Sequence, residues 1–226
     1  MNLHDNAGRG PGVIAPDGCA VDVYAMIGDT PERAAVVAGV CPPGGSVLDL
    51  GCGAGAIANP LARDGFRVVA VDESAAMLAR VTGAETVHAD IVELALGERF
   101  DVVLLASFLF SLAGDELRRG FLASCRRHVA DGGRVVLEWR NADWWDAVGP
   151  RLGERAGVQQ VHRGIVRDGD VLTLTEKYIH GDREWEHRYA VHRITDERLG
   201  DELSAAGLEF DSWLTDDRRW LSARPH

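Results

Sequence analysis

Between Ser46 and Ser74 the chain reads SVLDLGCGAGAIANPLARDGFRVVAVDES. Gly51, Gly53 and Gly55 alternate where a short apolar run ends, and a helical segment follows. Glycines at such a point let the backbone turn sharply and approach a ligand. A second apolar run ends in Asp72, about 20 residues further on, where a carboxylate can accept both hydroxyls of a ribose. Together these features point to a nucleoside site. Asp49 stands two residues before the first glycine. A carboxylate there repels a pyrophosphate and attracts an ammonium or sulfonium group, or it supports the loop from beneath. Read as G-x-G-x-x-A, the same residues also fit a dinucleotide fingerprint, the mark of a nicotinamide-dependent oxidoreductase. The alternating glycines, Asp49 and a closing pair of antiparallel strands weigh against that alternative. Cys52 reads as a small loop residue, not a nucleophile.

Eight histidines raise the question of a metal, but their placement does not support one. His187 and His192 lie five apart on one strand and so face opposite sides. No helical H-x-x-x-H occurs. The four cysteines form no C-x-x-C, which leaves no zinc or redox motif and fits a reduced cytoplasmic protein. His187 has a second reading. Strand alternation puts Leu172, Leu174, Tyr178, Trp185, His187, Tyr189 and Val191 on one face, if a hairpin pairs Tyr178 near His187. Thr173, Thr175, Lys177, Glu186 and Arg188 fall on the other. A histidine among aromatic residues at a covering edge titrates near neutrality and is a candidate general base. A hydrogen-bonded structural histidine is the alternative.

These residues need elements to hold them. Thr30-Pro31-Glu32-Arg33 opens a helix that Pro42-Pro43-Gly44-Gly45 closes. Buried strands are expected at 47–50, 68–71, 85–88, 101–105 and 135–139. Helices are expected between them, including 75–81 and the stripe Leu117, Phe121, Leu122, Cys125 and Val129. This alternation predicts a doubly wound α/β fold with a mostly parallel sheet. From Val161 to Ile194 the pattern switches to period two, with turn signals at Asp168-Gly169 and His180-Gly181-Asp182. Three inserted antiparallel strands are expected there, in an insertion spanning about 155–194. A helix over 196–206 and two closing strands end the chain.

The 226 residues, 46% of them hydrophobic, suit one domain over 18–226. The polar, glycine-rich residues 1–17 are expected to be a flexible lead-in without a signal peptide. No apolar run approaches about 18 residues, so no membrane helix is expected. The net charge is −11, and the basic pairs Arg118-Arg119 and Arg126-Arg127 are read onto the outer face of one helix. Nucleic acid is therefore not an expected partner.

The stretches VLDLGCGAG, VVAVDESAAML, VHADI, FDVVLLASFLFSL and LASCRRHVADGGRVVLEW stand in an order and spacing that resembles the class I S-adenosylmethionine-dependent methyltransferases. The resemblance runs from about Tyr24 to the C-terminus. It implies a seven-stranded Rossmann-like sheet and S-adenosylmethionine as cofactor. It places Gly51, Gly53 and Gly55 at the methionine portion and Asp72 at the ribose, with Glu73 beside it and Asp49 also counted among the cofactor-binding residues. Asp90, Ile91 and Met77 would meet the adenine, and Ala106, Ser107 and Phe108 would border the transferring methyl. The acceptor pocket would take in residues 107–111, with Trp139, Asn141, Trp144 and Trp145 nearby. Tyr24 becomes a second catalytic candidate, because similar enzymes bring N-terminal segments over the cofactor. LEWRNADWW and the insertion are similar to small-molecule N-methyltransferases of the sugar-amine and glycine N-methyltransferase kinds. The acceptor is expected to be a small molecule or short peptide, an amine before a hydroxyl. A non-catalytic S-adenosylmethionine-binding module is the other reading.

Overall fold

The apolar runs that end at Leu50, Asp72, His88, Leu105 and Glu138 assemble side by side into one sheet. The computed structural model describes residues 6–112 and 114–226. Its elements begin with β1 (Ala7–Arg9), α1 (Val21–Ile27), α2 (Pro31–Ala38), β2 (Ser46–Leu50), α3 (Ala58–Arg63), β3 (Arg67–Asp72) and α4 (Ala75–Leu78). Next come β4 (Glu85–His88), β5 (Phe100–Leu105), α5 (Leu109–Leu112), α6 (Asp115–His128), β6 (Val129–Glu138) and α7 (Ala142–Ala147). The chain ends with β7 (Arg151–Arg155), β8 (Val158–Asp168), β9 (Val171–His180), β10 (Arg183–His192), α8 (Asp196–Ala205), β11 (Leu208–Trp213) and β12 (Trp220–Pro225).

The main sheet has seven strands in the order β11-β12-β6-β5-β2-β3-β4. Strands β2 to β6 pair in parallel, while β12 runs antiparallel to β6 and β11 to β12. Alternate residues explain why both faces must be covered. Leu48, Leu50, Val103, Leu105, Val135 and Leu137 pack with Phe121 and Leu122 of α6 and Leu199 and Leu203 of α8. Val47, Val68, Ala70, Val102 and Leu104 pack with Ala34 and Val37 of α2 and with Leu61 of α3. The strands read as continuous apolar runs because neither face meets water.

The second sheet is antiparallel, in the order β1-β10-β9-β8-β7. Its inward face is that expected from alternation: Leu172, Leu174, Tyr178, Trp185, His187, Tyr189 and Val191 are all buried. The register differs, however, with Tyr178 opposite Trp185 and Glu176 opposite His187. A shift by an even number of residues leaves every side chain on its face. One end of this face packs Tyr178 and Trp185 on Val23 of α1, and the other packs Leu172, Leu174 and Val191 on Trp145 of α7.

Several expectations are corrected. The insertion contributes four strands, since Arg151–Arg155 pairs with β8 through a turn at Ala156 and Gly157, with φ of 49° and 75°. The segment read as a flexible lead-in contains β1, whose Gly8 pairs with His187 of β10. At Gly10 a side chain would collide with the Trp185 ring 2.3 Å away, so glycine there lets the segment lie flat on β10. Residues 1–5 of that expected lead-in lie outside the described residues. Tyr24 lies within α1, a helix that precedes the one expected to open at Thr30. Helix α4 ends at Leu78, short of Val81. Arg118 is fully buried, not on an outer face, because α8 packs over α6 and supplies Glu202 at 3.0 Å. No helix among the described residues is long and apolar enough to cross a membrane.

Candidate functional site

The C-terminal ends of the parallel strands and the inward face of the antiparallel sheet enclose a cavity of about 570 Å³. Open α/β sheets bind ligands at this end. Gly51 and Gly53 line it, in a loop whose three glycines all have positive φ. At Gly51, φ is 73° and an added Cβ would stand 2.4 Å from Leu109 Cδ1, so only glycine fits. Asp72, at the end of β3, accepts hydrogen bonds from the backbone N–H groups of Gly53 and Ser74, each at 2.8 Å. Each carboxylate oxygen has a second lone pair, so acceptor capacity remains for two hydroxyls. Burial raises the Asp72 pKa above the usual carboxylate value.

Glu73, Met77, Asp90 and Ile91 follow around the same wall. Met77 is 2% exposed, among Ala15, Cys19 and Val21. Asp90 accepts from Val92 N–H at 2.6 Å and thereby fixes the turn that presents Ile91. Ser107 and Phe108 reach the cavity through two successive left-handed conformations, φ 55° and 62°. Non-glycine residues are held there only when their surroundings enforce it. Glu138 does so by accepting from Ser107 N–H at 2.9 Å, and the Arg140 guanidinium lies 3.4 Å over the Phe108 ring.

Three residues expected at the ligand stand elsewhere. Asp49 does not line the cavity and is 2% exposed; burial pushes its carboxyl up to about 7. Gly55 lies against Asn59, and Ala106 is covered. On the acceptor side, Leu109 and Leu112 line the cavity, but Phe110, Ser111, Trp139, Asn141, Trp144 and Trp145 do not. Trp139 stacks on Trp213 and donates to Arg218 O at 2.8 Å, as a core residue. Asn141 caps α7 through Trp144 N–H.

His187 and Tyr24 both face the cavity. His187 Nε2 lies 3.1 Å from Asp17 O, so the proton sits on Nε2 and Nδ1 is the open acceptor, 3.9 Å from Cys19 Sγ. Burial pulls its pKa below the ordinary histidine value. Tyr24 reaches over the glycine loop, its ring 3.8 Å from where a Cβ on Gly53 would be. The Cys19 thiol donates to its hydroxyl at 3.2 Å. That neighbour and burial hold the phenol well above its usual pKa, which keeps it protonated.

The sequence reading missed charged groups that line the cavity, Arg33, Arg140 and Glu176 among them. Arg33 of α2 pairs with Glu138, and its Nε is buried without a hydrogen-bond partner. Arg140 lies between the Phe108 and Trp144 rings, with burial lowering its pKa to about 10. Glu176 faces inward from β9 with Tyr178 and Tyr189. A charged residue in the register Leu172-Leu174-Glu176-Tyr178 was the available signal, because it breaks an otherwise apolar face. Among the described residues no group of three or more His, Cys, Asp or Glu side chains is placed to hold a metal ion.

The arrangement fits S-adenosylmethionine. Asp72 keeps lone pairs that a ribose would use, and Met77, Asp90 and Ile91 line the wall beside it, where an adenine would lie. The glycine loop brings backbone to the cavity wall at Gly51 and Gly53, with their N–H groups already bonded to Val71 O and Asp72, and Arg33 lines the same cavity with its Nε unpartnered.

Comparison with known proteins agrees with this geometry. Residues 48–137 match a family described as a methyltransferase domain. The cypemycin N-terminal methyltransferase of a Streptomyces species is 35% identical over 121 residues, 50% of this chain and 46% of that one. A ubiquinone biosynthesis O-methyltransferase of Nitrobacter winogradskyi is 32% identical over 112 residues, 46% of this chain and 42% of the other. The chain thus spans about half the length of the curated relatives it matches. Among solved structures, it is similar to CalS10 with S-adenosylmethionine bound, an amino pentose methyltransferase from Micromonospora echinaspora involved in calicheamicin biosynthesis. The TM-score is 0.72 at 28% identity, covering 91% of this chain and 95% of that one.

Proposed function

We propose, for a chain that belongs to the class I S-adenosylmethionine-dependent methyltransferases, that it methylates the amine of a small molecule or short peptide. The observation that carries this reading is the continuity of one cavity, from Asp72 and the glycine loop to the polar middle of the antiparallel face. Such a cavity admits an acceptor beside the cofactor. A purely cofactor-binding module would need no such second chamber.

When bound, S-adenosylmethionine supplies a methyl group already activated on a sulfonium. The chain's own part is to bind, align and dry the site. Asp72 would hold the ribose, and Arg33 with the Gly51–Gly53 backbone would hold the methionine end. The N-terminal part of the chain walls the cavity through Ala15, Asp17 and Cys19 and through Tyr24 and Ile27 of α1. An amine arriving as its ammonium must lose a proton before its lone pair can attack. His187, neutral and with Nδ1 free, takes that proton. Tyr24, which stays protonated, donates a hydrogen bond and supplies a wall. The amine is favoured over the hydroxyl by the name of the amino pentose methyltransferase, which is matched over 95% of its length, and of the N-terminal methyltransferase; the ubiquinone biosynthesis O-methyltransferases are matched over only 42% to 59% of theirs.

The test is transfer of labelled methyl to a panel of matched pairs, each an amine and its hydroxyl counterpart among amino sugars, short peptides and phenols. Label on nitrogen in at least one pair supports the reading. Label confined to oxygen, or to no member, contradicts it.

A further inference from the structure

The methyl-transfer reading leaves one buried charge on the acceptor side without a task. Glu176 faces the cavity from the middle of β9, directly opposite His187 in the β9–β10 register. Its side chain is 13% exposed. Its partners are His162 Nε2 at 3.4 Å, the Tyr189 hydroxyl at 3.2 Å and the Tyr178 side chain. Among the described residues no lysine or arginine lies within 4 Å of it, although Arg140 lines the same cavity. The hydrogen bonds nevertheless overcome desolvation and hold its pKa below the usual glutamate value, so it is an anion near neutral pH. Its partners thus keep it ionised without supplying a lysine or arginine, and a cation that enters the cavity meets a buried anion.

We infer that Glu176 is the seat of the acceptor's ammonium group, a positioning and specificity residue that selects cationic amines. A chain of contacts connects it to the transfer point. Tyr24 stands over Gly53, Cys19 links Tyr24 to His187, and His187 faces Glu176 across the strand pair. An ammonium held by Glu176 thus lies against Nδ1 of the neutral imidazole. The proton passes from nitrogen to Nδ1, the nitrogen keeps the electron pair, and the imidazolium formed is stabilised by the same carboxylate. The tyrosines sharpen the choice. Their hydroxyls solvate a carboxylate but do not neutralise it, and the apolar ends of the face exclude water. A neutral alcohol would bring no charge to meet the Glu176 carboxylate.

This inference rests on the methyl-transfer reading, so the experiment must separate the two. Sinefungin carries a C–NH₃⁺ group where S-adenosylmethionine carries S⁺–CH₃, and it places an ammonium at the transfer point without any acceptor. S-adenosylhomocysteine has neither. Both are titrated calorimetrically into wild type and Glu176→Gln. The expected result is a loss of about 10–100-fold for sinefungin, the worth of a hydrogen bond to a charged group, with S-adenosylhomocysteine changed less than about threefold. Retained S-adenosylhomocysteine binding shows that the variant is folded. If Glu176→Gln binds neither ligand, Glu176→Met, which removes the buried polar group altogether, is read in the same way. Equal shifts for both ligands, or none for sinefungin, overturn the ammonium seat. Failure of wild type to bind either ligand instead overturns the methyl-transfer reading.

Discussion

Asp72→Ala is the perturbation with the most clearly divided consequences. In the structure the carboxylate does two things at once. It receives two backbone N–H groups at 2.8 Å, tying the glycine loop to β3 and starting α4, and it faces the cavity with its remaining lone pairs. The first role sets a stability cost. Hydrogen bonds to a charged group are worth roughly 1.5–3 kcal/mol each, and partial exposure lets water replace some of that. A loss of about 2–3 kcal/mol is expected, which for a chain of this size lowers the melting temperature by about 4–12 °C. The second role sets an affinity cost of a further 1.5–3 kcal/mol, or about 10–150-fold in Kd for S-adenosylmethionine. Thermal unfolding without ligand reads the first, and calorimetry at a temperature where the variant is folded reads the second. A folded Asp72→Ala that binds within twofold of wild type would remove Asp72 from the site and refute the reasoning.

Four further outcomes are expected. His187→Gln should lower turnover by about 10²–10⁴-fold while cofactor affinity stays unchanged, and a variant that loses stability but not turnover marks a structural histidine. Because burial lowers the His187 pKa, the base is in its working form at neutral pH, and the acidic limb of the wild-type rate profile should lie below the ordinary histidine value. Asp49 has the opposite shift: its folded pKa of about 7 exceeds the unfolded value of about 4, so its ionisation costs stability progressively between those pH values and at a constant level above them. Asp49→Asn should therefore gain on wild type in thermal unfolding as pH rises towards 7 and hold that gain beyond; a difference independent of pH argues against it. Gly51→Ala must place a methyl 2.4 Å from Leu109 at a positive φ, and a melting temperature within about 2 °C of wild type would show that the loop is not fixed as described.

The main sheet was readable because its strands are buried on both faces. Runs such as VLDL and VVAV have no other stable place, and the glycine loop and Asp72 followed from where those runs end. The antiparallel face was readable for a different reason: a period of two survives a register error of two residues, so His187 and Tyr189 were placed inward although the pairing differs. Other features lay below the reach of pattern. Arg151–Arg155 is polar and largely exposed, with no alternation, and becomes a strand only through its pairing with β8. The N-terminal residues are small and glycine-rich, and their order comes from the Trp185 surface they lie upon. Asp49 and Gly55 adjoin the cavity-lining glycines in sequence, and Ala106 adjoins Ser107, yet all three are buried and do not line the cavity. Arg33, Arg140 and Glu176 come from three separate elements, and only tertiary packing brings them to one cavity.

The central claim is that this cavity holds S-adenosylmethionine, and competition binding with the wild-type chain tests it most directly. S-adenosylmethionine is titrated into the protein in the presence and absence of excess NADH, and the reverse titration is then made. The predicted result is one S-adenosylmethionine per chain, displaced by S-adenosylhomocysteine and unaffected by NADH. Saturable NADH binding that excludes S-adenosylmethionine, or no S-adenosylmethionine binding at all, would contradict the account.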